Sequence, residues 1–310
     1  MSLTDRCDFA CLYCRPSRSD GYAPERLTAD AIVTIARGLA RAGVERLRFT
    51  GGEPLLRRDV VDIVASINQL GFADLALTTN GSRLAKLAQP LRDAGLHRIT
   101  ISIDSLQVER FARLTRGGDL SGVLAGIEAA CAAGFDEVKI NAVVVRGEND
   151  QELEDLVQFA WARNILPRFL EIMTIGEGAR MLDRVVTGAE MRSKLAHLLD
   201  DGEPMRDADR GPARYVRARH DSRRRVGFIT GSSHTYCAGC DRLRVSSDGV
   251  LRPCLATKDG VRASEQATAN DADGVARAIA EAWKFKPNGE TWRGCNEPGA
   301  ASISIRAIGG

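Results

Sequence analysis

The sequence has no long hydrophobic run. No stretch approaches the ~20 apolar residues that a membrane-spanning helix needs, and the N-terminus lacks the apolar core of a secretory signal peptide. The net charge of the 310 residues is only +2, so overall charge favours neither nucleic acid nor an anionic membrane as a partner. Internal repeats, low-complexity tracts and Pro/Ser-rich linkers are also missing. We expect a globular chain with no membrane or nucleic-acid partner, built as one large domain or one domain with an appendage.

Cysteine is the residue type with the most informative distribution. A secreted disulfide scaffold would be shorter and denser in cysteine than this chain, which has eight in 310 residues. Six of them fall into two groups of three at close spacing. We therefore expect a reducing, cytoplasmic location and metal-bound thiolates. Of the other two, Cys131 lies in an alanine-rich segment that predicts a packed helix, and Cys295 has no evident partner.

The first group comprises Cys7, Cys11 and Cys14, and one loop can aim this C-x3-C-x2-C pattern at a single point. Soft thiolates select zinc, Cu(I) or iron–sulfur clusters. A structural zinc site needs four ligands, and no fourth Cys or His is adjacent in the sequence. Three thiolates on a four-iron cubane leave one iron open to a substrate or cofactor. The alternatives are three unrelated buried cysteines or three ligands of a zinc site.

The second group begins with the C-x2-C pair of Cys237 and Cys240, and Cys254 completes it. The segment between them is typical of a β-hairpin that turns at residues 247–249, which would bring Cys254 back beside the pair. The pattern again provides three thiols and predicts a second open cluster. A zinc site completed by His234 and a redox-active C-x2-C pair are the alternatives.

Basic residues in predicted strands indicate an anionic ligand. Arg242 and Arg244 are two residues apart and would share one face of a strand, where both guanidinium groups can bind one phosphate. Arg48 and Lys139 each lie between apolar neighbours, so strand alternation turns them toward the interior of a barrel. Because Lys and Arg are rarely buried unpaired, an anionic ligand is one partner, and an internal Asp or Glu is the alternative.

Strands and helices alternate through the N-terminal part of the chain, which implies a parallel sheet with right-handed crossovers. Six such units suit an incomplete (β/α)6 TIM-like barrel of the α/β class, whose site lies at the carboxyl ends of the strands. We expect this barrel over residues 1–200 and a C-terminal region over 201–310, which contains a predicted hairpin at 215–229 and the second cluster. The predicted barrel strands are residues 2–5, 47–50, 75–78, 98–103, 138–145 and 168–173.

Several candidate site residues follow these predicted strands directly. The pair Gly51 and Gly52 permits close approach of the backbone to a ligand, and Glu53 can accept hydrogen bonds from an ammonium group. Thr78 and Ser102 lie at the ends of later strands, where ordinary capping and turn chemistry is the alternative to binding.

The first cysteine group, with an aromatic residue directly before its last cysteine, resembles the radical S-adenosylmethionine (SAM) superfamily. In that superfamily the open iron chelates SAM, and one electron cleaves SAM to a 5′-deoxyadenosyl radical. Together with the second group and the C-terminal Gly-Gly, nearly the whole chain resembles the GTP 3′,8-cyclase family. The segments that carry this resemblance are TDRC, RFTGGEPLLRRD, LTTNG, ISIDS, VKIN, C-x2-C-DRLR and the final IGG.

The resemblance implies a lyase that converts GTP to (8S)-3′,8-cyclo-7,8-dihydroguanosine 5′-triphosphate, the first step of molybdenum cofactor (molybdopterin) biosynthesis. The radical would take the ribose C3′ hydrogen, and the C3′ radical would attack guanine C8. Two [4Fe–4S] clusters and SAM would be the cofactors. The resemblance also implies an electron donor of flavodoxin or ferredoxin type. A downstream pterin-forming enzyme and a second copy of the chain, in a homodimer, are the other expected partners.

Site residues carry over from the family as expectations. The cluster ligands are the two cysteine groups, Cys7, Cys11 and Cys14, and Cys237, Cys240 and Cys254. The expected SAM contacts are Tyr13, Gly51, Gly52, Glu53, Ser102 and Met173. The expected GTP contacts are Arg48, Thr78, Lys139, Arg242 and Arg244. The C-terminal tail is expected to enter the barrel and to place three catalytic residues, Arg306, Gly309 and Gly310.

The sequence departs from the family at two places. An arginine that contacts the GTP phosphates usually precedes the TDRC segment by a few residues, whereas this chain starts at Met1, and Arg15 follows Cys14 where methionine is usual. These departures indicate a truncated start or a divergent paralogue. The alternative functions are therefore a paralogue acting on another nucleotide, a peptide-modifying radical SAM enzyme with an auxiliary cluster, or a non-catalytic zinc-binding module.

Overall fold

The computed structural model describes residues 1–287 except positions 18, 20, 24, 25, 208–210, 235, 236, 238, 256 and 258. Its strands are β1 (Arg46–Phe49), β2 (Asp74–Thr79), β3 (Arg98–Ser102), β4 (Glu137–Val144), β5 (Leu166–Glu171), β6 (Met205–Arg206), β7 (Arg214–Arg217), β8 (Arg225–Ile229), β9 (Arg244–Val245), β10 (Val250–Arg252) and β11 (Val261–Arg262). Over the described residues, the main sheet has eight strands in the order β1-β2-β3-β4-β5-β8-β7-β6. Strands β1 to β5 and β8 are parallel, and β6 and β7 form an antiparallel edge.

Helices pack around the strands, and the last two of them, which follow the C-terminal strands, pack on the first. They are α1 (Ala29–Arg41), α2 (Val60–Asn68), α3 (Leu84–Asp93), α4 (Val108–Thr115), α5 (Leu120–Ala132), α6 (Leu153–Trp161), α7 (Gly188–Lys194), α8 (Ser264–Thr268) and α9 (Ala272–Lys284). Helix α1 is representative, because Thr28 caps its first turn by accepting a hydrogen bond from Ala31 N, and Ile32, Ile35 and Leu39 are buried at helical spacing. Among the described helices, none is both long and apolar enough to cross a membrane.

The main sheet is strongly curved. Arg48 on β1 and Arg168 on β5 both donate hydrogen bonds to the hydroxyl of Thr100 on β3, at 3.3 and 3.2 Å. Side chains from strands that are not neighbours meet in this way only on a concave face. The outer face is apolar, with Leu47 and Phe49 buried under the helices. The predicted α/β class with a mostly parallel sheet is therefore confirmed.

One predicted barrel strand is wrong. Of residues 2–5, only Ser2 forms a parallel bridge, with Thr50. Backbone hydrogen bonds continue from Gly52 N to Thr4 O, but β1 has ended at Phe49, so these contacts join two loop segments and form no strand. The sixth parallel strand is instead β8, which pairs with β5.

The hairpin predicted at residues 215–229 is confirmed, since β7 and β8 pair antiparallel. It belongs to the main sheet, however, and not to a separate C-terminal unit. The sheet therefore continues past residue 200. The division of the chain into residues 1–200 and 201–310 stays a prediction.

The C-terminal part docks beside β1. Strands β9 and β10 form the predicted hairpin with its turn at residues 246–249. Ser2 N donates to Val245 O at 2.8 Å, and Leu27 N donates to Ser247 O at 2.9 Å. These bonds hold the hairpin next to the segment that leads into the first cysteine loop.

The variant Gly38→Val tests how α9 packs on α1. A Cβ atom at Gly38 would lie 2.4 Å from Val275 Cγ1, so the helices must separate to accept it, and overpacking of this kind costs about 1–3 kcal/mol. We expect a lower midpoint of thermal unfolding, followed by circular dichroism. Ala85→Val, at an exposed position of α3, is the matched control. An equal loss of stability in both variants would contradict the packing contact.

Candidate active site

The first cysteine loop lies on the carboxyl end of β1, against the Gly-Gly pair. Gly52 N donates to Thr4 O at 2.7 Å, and Glu53 N donates to Arg6 O at 2.7 Å. A Cβ atom on Gly51 would lie 2.4 Å from Thr4 O, and one on Gly52 would lie 2.4 Å from Arg6 O. The two glycines are therefore required for close contact between two backbone segments, whatever they contribute to ligand binding.

Two side chains tie the same loop to the neighbouring strands. The carboxylate of Asp8 accepts hydrogen bonds from Asn80 Nδ2 and Ser82 Oγ, both at 2.7 Å, after the end of β2. The hydroxyl of Tyr13 donates to Asp104 at 2.7 Å, after the end of β3, and burial raises the pKa of Asp104 to about 6. The loop is thus held over the ends of β1, β2 and β3 together. The predicted contact of Tyr13 with SAM stays a prediction.

Cys7, Cys11 and Cys14 lie half-buried on this loop. Burial, followed by the charge of Glu53, raises the pKa of Cys7 to about 12, and burial also raises the pKa of Cys11. Such thiols become thiolates only when metal replaces the proton. Among the described residues, no three Cys, His, Asp or Glu side chains already converge on a metal position. Three soft donors on one short loop fit a [4Fe–4S] cluster with one open iron, and we infer that iron draws them together.

Glu53 is fully buried below the loop. Its carboxylate accepts hydrogen bonds from Thr79 Oγ1 at 2.7 Å, Asn80 N at 2.7 Å and Leu55 N at 2.9 Å, and burial raises its pKa to about 7. Glu53 thus braces the ends of β1 and β2. Its predicted contact with the ammonium group of SAM stays a prediction.

The remaining predicted SAM contacts lie at other strand ends. Ser102 is half-buried as the last residue of β3, and half-buried Met173 follows β5. Glu171, which ends β5, accepts hydrogen bonds from Ser232 N and Ser233 N at 2.8 Å each. The loop that leads to the second cysteine group is therefore anchored beside Met173.

Two of the predicted GTP contacts lie inside the barrel, as strand alternation indicates. Arg48 Nη1 donates to the hydroxyls of Thr78 and Thr100 at 3.2 and 3.3 Å. Lys139 is 4% exposed, and its Nζ forms an ion pair with Glu137 at 2.6 Å. For Lys139, the internal carboxylate expected as the alternative partner is therefore present.

Arg168 is an interior cation that is not among the residues predicted from the sequence. Its Nε donates to Asn141 Oδ1 at 2.9 Å, and its side chain reaches Thr100. It lies between Pro167 and Phe169, and this alternation is the same signal that identified Arg48. Within the described part of the chain, neither arginine forms an ion pair. Burial, followed by the charge of Arg168, lowers the pKa of Arg48 to about 10, so the interior favours an anion.

The second cysteine group lines one pocket together with both predicted arginines. Arg242 Nε donates to Cys240 Sγ at 3.3 Å. Burial raises the pKa of the Cys240 thiol, but the charge and hydrogen bonds of Arg242, with Lys286, bring it below its ordinary value. Three thiols among cations therefore fit a second cluster. The residues that converge on this pocket include Cys237, Cys240, Cys254, Arg242, Arg244, Lys286 and Met173.

The structure also describes three further residues that carry predictions, which are His234, Cys131 and Arg15. His234 is exposed, and the zinc site that it could complete stays an alternative prediction. Cys131 lies on a helix as predicted, but its side chain is exposed and not packed. The guanidinium of buried Arg15 lies 5.3 Å from the ring centre of Tyr22. Four residues with predictions attached lie outside the described residues: Cys295, Arg306, Gly309 and Gly310.

The variant Gly52→Ala tests whether the first cysteine loop needs its close backbone contact with Gly52. The added Cβ meets backbone atoms of Arg6 and Asp5, so the loop must move off β1. We expect iron to fall from about eight to about four atoms per chain after anaerobic reconstitution, since one of two cubanes is lost. Gly202→Ala is the control, because nothing lies within 4 Å of its added Cβ. Full iron content in Gly52→Ala would show that the loop does not need this contact.

Comparisons with known proteins agree with this geometry. Residues 1–160 match the radical SAM superfamily, and residues 165–292 match the family described as Molybdenum Cofactor Synthesis C. A GTP 3′,8-cyclase from Pseudomonas putida (strain W619) is 42% identical over 298 residues, which covers 93% of this chain and 87% of that protein. GTP 3′,8-cyclase 1 from Pseudomonas aeruginosa is 44% identical over 262 residues, which covers 82% of this chain and 78% of that protein.

Solved structures show the same fold at low identity. SuiB from Streptococcus suis, bound to precursor peptide SuiA, superposes with a TM-score of 0.63 at 15% identity, covering 97% of this chain and 66% of that chain. SuiB bound to S-adenosylmethionine gives a TM-score of 0.60 at 15% identity, covering 95% of this chain and 70% of that chain. Identities this low support the fold alone. On the evidence of its close relatives, this chain belongs to the GTP 3′,8-cyclase family of the radical SAM superfamily.

Proposed function

We propose that this protein is a radical SAM lyase that converts GTP to (8S)-3′,8-cyclo-7,8-dihydroguanosine 5′-triphosphate, the first step of molybdenum cofactor biosynthesis. The observation that carries the proposal is the shared pocket, in which the second cysteine group, two arginines and Met173 from the end of β5 come together. A substrate in this pocket contacts both the C-terminal cysteines and the mouth of the barrel. The 42% identity to a GTP 3′,8-cyclase supports GTP as that substrate.

Two [4Fe–4S] clusters and SAM, when bound, supply the radical chemistry. Cys7, Cys11 and Cys14 hold the first cluster over the ends of β1 to β3. The second group holds the other cluster beside the pocket, through Cys237, Cys240 and Cys254. The residues that we assign to SAM are Tyr13, Gly51, Gly52, Glu53, Ser102 and Met173.

The positive interior binds and orients the triphosphate. Arg48 and Arg168 donate only to hydroxyl and amide oxygens within the described residues, and phosphate oxygens are stronger acceptors for guanidinium groups. When GTP binds, the Lys139 ammonium either donates to both Glu137 and the substrate or breaks its ion pair with Glu137. Thr78, which accepts a hydrogen bond from Arg48, and the two pocket arginines, Arg242 and Arg244, contact the same nucleotide. The tail residues assigned to substrate positioning are Arg306, Gly309 and Gly310.

We also propose a cellular setting for the enzyme. The enzyme works in the cytoplasm, where thiolates stay reduced, and it forms a homodimer. It receives its electrons from a carrier of flavodoxin or ferredoxin type. Its product passes to a pterin-forming enzyme.

Anaerobic assays with the four nucleoside triphosphates test the function. The reduced, reconstituted protein is incubated with SAM and GTP, ATP, CTP or UTP, and 5′-deoxyadenosine and cyclised nucleotide are measured by mass spectrometry. We expect both products with GTP alone, and about eight iron and eight sulfide atoms per chain. Cys131→Ala should behave as the parent because Cys131 is exposed on α5. Turnover with another nucleotide would indicate a paralogue, and bound zinc without sulfide would indicate a zinc module.

The variants Arg48→Met and Arg244→Ala test the phosphate contacts. A hydrogen bond to a charged group contributes about 1.5–3 kcal/mol, so each variant should bind GTP roughly ten- to a hundredfold more weakly while iron content is kept. Binding is measured by calorimetry under anaerobic conditions. Arg46→Met is the control, because Arg46 lies on the same strand but is exposed and forms only a 3.5 Å surface ion pair with Asp241. Unchanged affinity in both test variants would place the triphosphate elsewhere.

A further inference from the structure

Lys286 lies just after α9 and reaches into the second cysteine group. Its Nζ donates to Arg242 O at 2.5 Å, to Pro253 O at 2.7 Å and to Cys240 Sγ at 3.4 Å. A lysine ammonium has three protons to donate, so these three acceptors use its full capacity. Lys286 is therefore bound to protein acceptors, although it lines the pocket in which we place the nucleotide.

The three acceptors come from both halves of the ligand set. Cys240 and Arg242 belong to the C-x2-C side of the hairpin, whereas Pro253 directly precedes Cys254. The sequence separates these halves by the whole β9–β10 hairpin, and one ammonium group joins them. A displacement of Lys286 would therefore change the distance between Cys240 and Cys254 as well as the hydrogen bond to sulfur.

We propose that Lys286 is a positioning residue for the second [4Fe–4S] cluster, holding its cysteine ligands in register and favouring the reduced state of the cluster. This inference rests on the proposed function, because it requires the second cluster. It adds a role for a residue that is neither a cluster ligand nor a substrate contact.

The preference for the reduced state follows from the charge that reduction adds to the cluster. Reduction adds one negative charge, and a cationic donor on a ligand sulfur stabilises that charge. Hydrogen bonds to the sulfurs are among the factors that set the reduction potentials of iron–sulfur clusters. Arg242 contributes a second donor to the same sulfur. Loss of Lys286 should therefore weaken this stabilisation without abolishing it.

Lysine suits this position better than arginine does. Its ammonium group is a compact charge with three rotatable donors, whereas guanidinium is a planar fork. The three acceptors of Lys286 belong to three different residues around one point and do not form a planar pair. We therefore expect Lys286→Arg to keep the charge near the cluster but to fit the acceptors less well.

The test isolates the second cluster in a chain in which Cys7, Cys11 and Cys14 are all replaced by alanine. Lys286→Met, Lys286→Arg and Lys284→Met are introduced into this background, and the reconstituted cluster is titrated by electron paramagnetic resonance at controlled potentials. Lys284 is the matched control, because it is exposed at the end of α9. Hydrogen–deuterium exchange of the iron-free chain over residues 240–254 provides a readout that does not depend on the cluster.

We expect Lys286→Met to shift the reduction equilibrium about tenfold toward the oxidised cluster, which is about 59 mV for one electron. Lys286→Arg should shift less, and Lys284→Met should match the parent. Amides of residues 240–254 should exchange faster in iron-free Lys286→Met than in Lys284→Met. A cluster that survives in Lys286→Arg but is lost in Lys286→Met would also support the inference, since both variants keep a long side chain.

An unchanged potential and unchanged exchange in Lys286→Met would overturn the inference. An equal effect of Lys284→Met would do the same, because the change would then reflect α9 and not the ammonium contacts. The proposed function fails in a different way. If the cysteine-replaced parent binds no iron, then the second cluster itself does not exist, whatever Lys286 does.

Discussion

The contact between two backbone segments at the carboxyl end of β1 determines where the first cysteine loop lies. Gly51 and Gly52 approach the backbone of Thr4 and Arg6 so closely that a side chain at either glycine would collide with it. Because the loop is seated there, Asp8 can reach the end of β2 and Tyr13 can reach the end of β3. A loop displaced from β1 would lose these bonds and would no longer face the interior of the barrel.

The balance of positive and negative charge inside the barrel changes along the strands. At the amino ends of the strands, Arg98 pairs with Asp74 and Glu137, so charges there are compensated. Farther along, Arg48 and Arg168 contact only hydroxyl and amide groups among the described residues. Burying a cation without a counter-ion costs free energy, and a bound polyanion offsets that cost. The excess of positive charge therefore lies toward the carboxyl ends of the strands, where both cysteine groups lie.

The sequence predicted those features that depend on local spacing. Alternation in β1 identified Arg48 as an inward-facing residue, and the hairpin pattern brought Cys254 back toward Cys240. Arg168 shows the same alternation and was open to the same inference. Residues 2–5 form no strand, although their sequence predicts one, because β1 ends at Phe49 and the segment bonds instead to Thr50 and Gly52 beyond it.

The sequence by itself determined the chemistry of the site, since the spacing of the cysteines and the alternation of strands are properties of neighbouring residues. Only the tertiary structure decided which distant groups meet. It placed β8 in the main sheet, and it brought Thr79 and Asn80 into hydrogen bonds with the Glu53 carboxylate. It also brought Lys286, 46 positions away, to Cys240. Such contacts arise from how helices and strands pack against one another, and no periodicity in the chain encodes them.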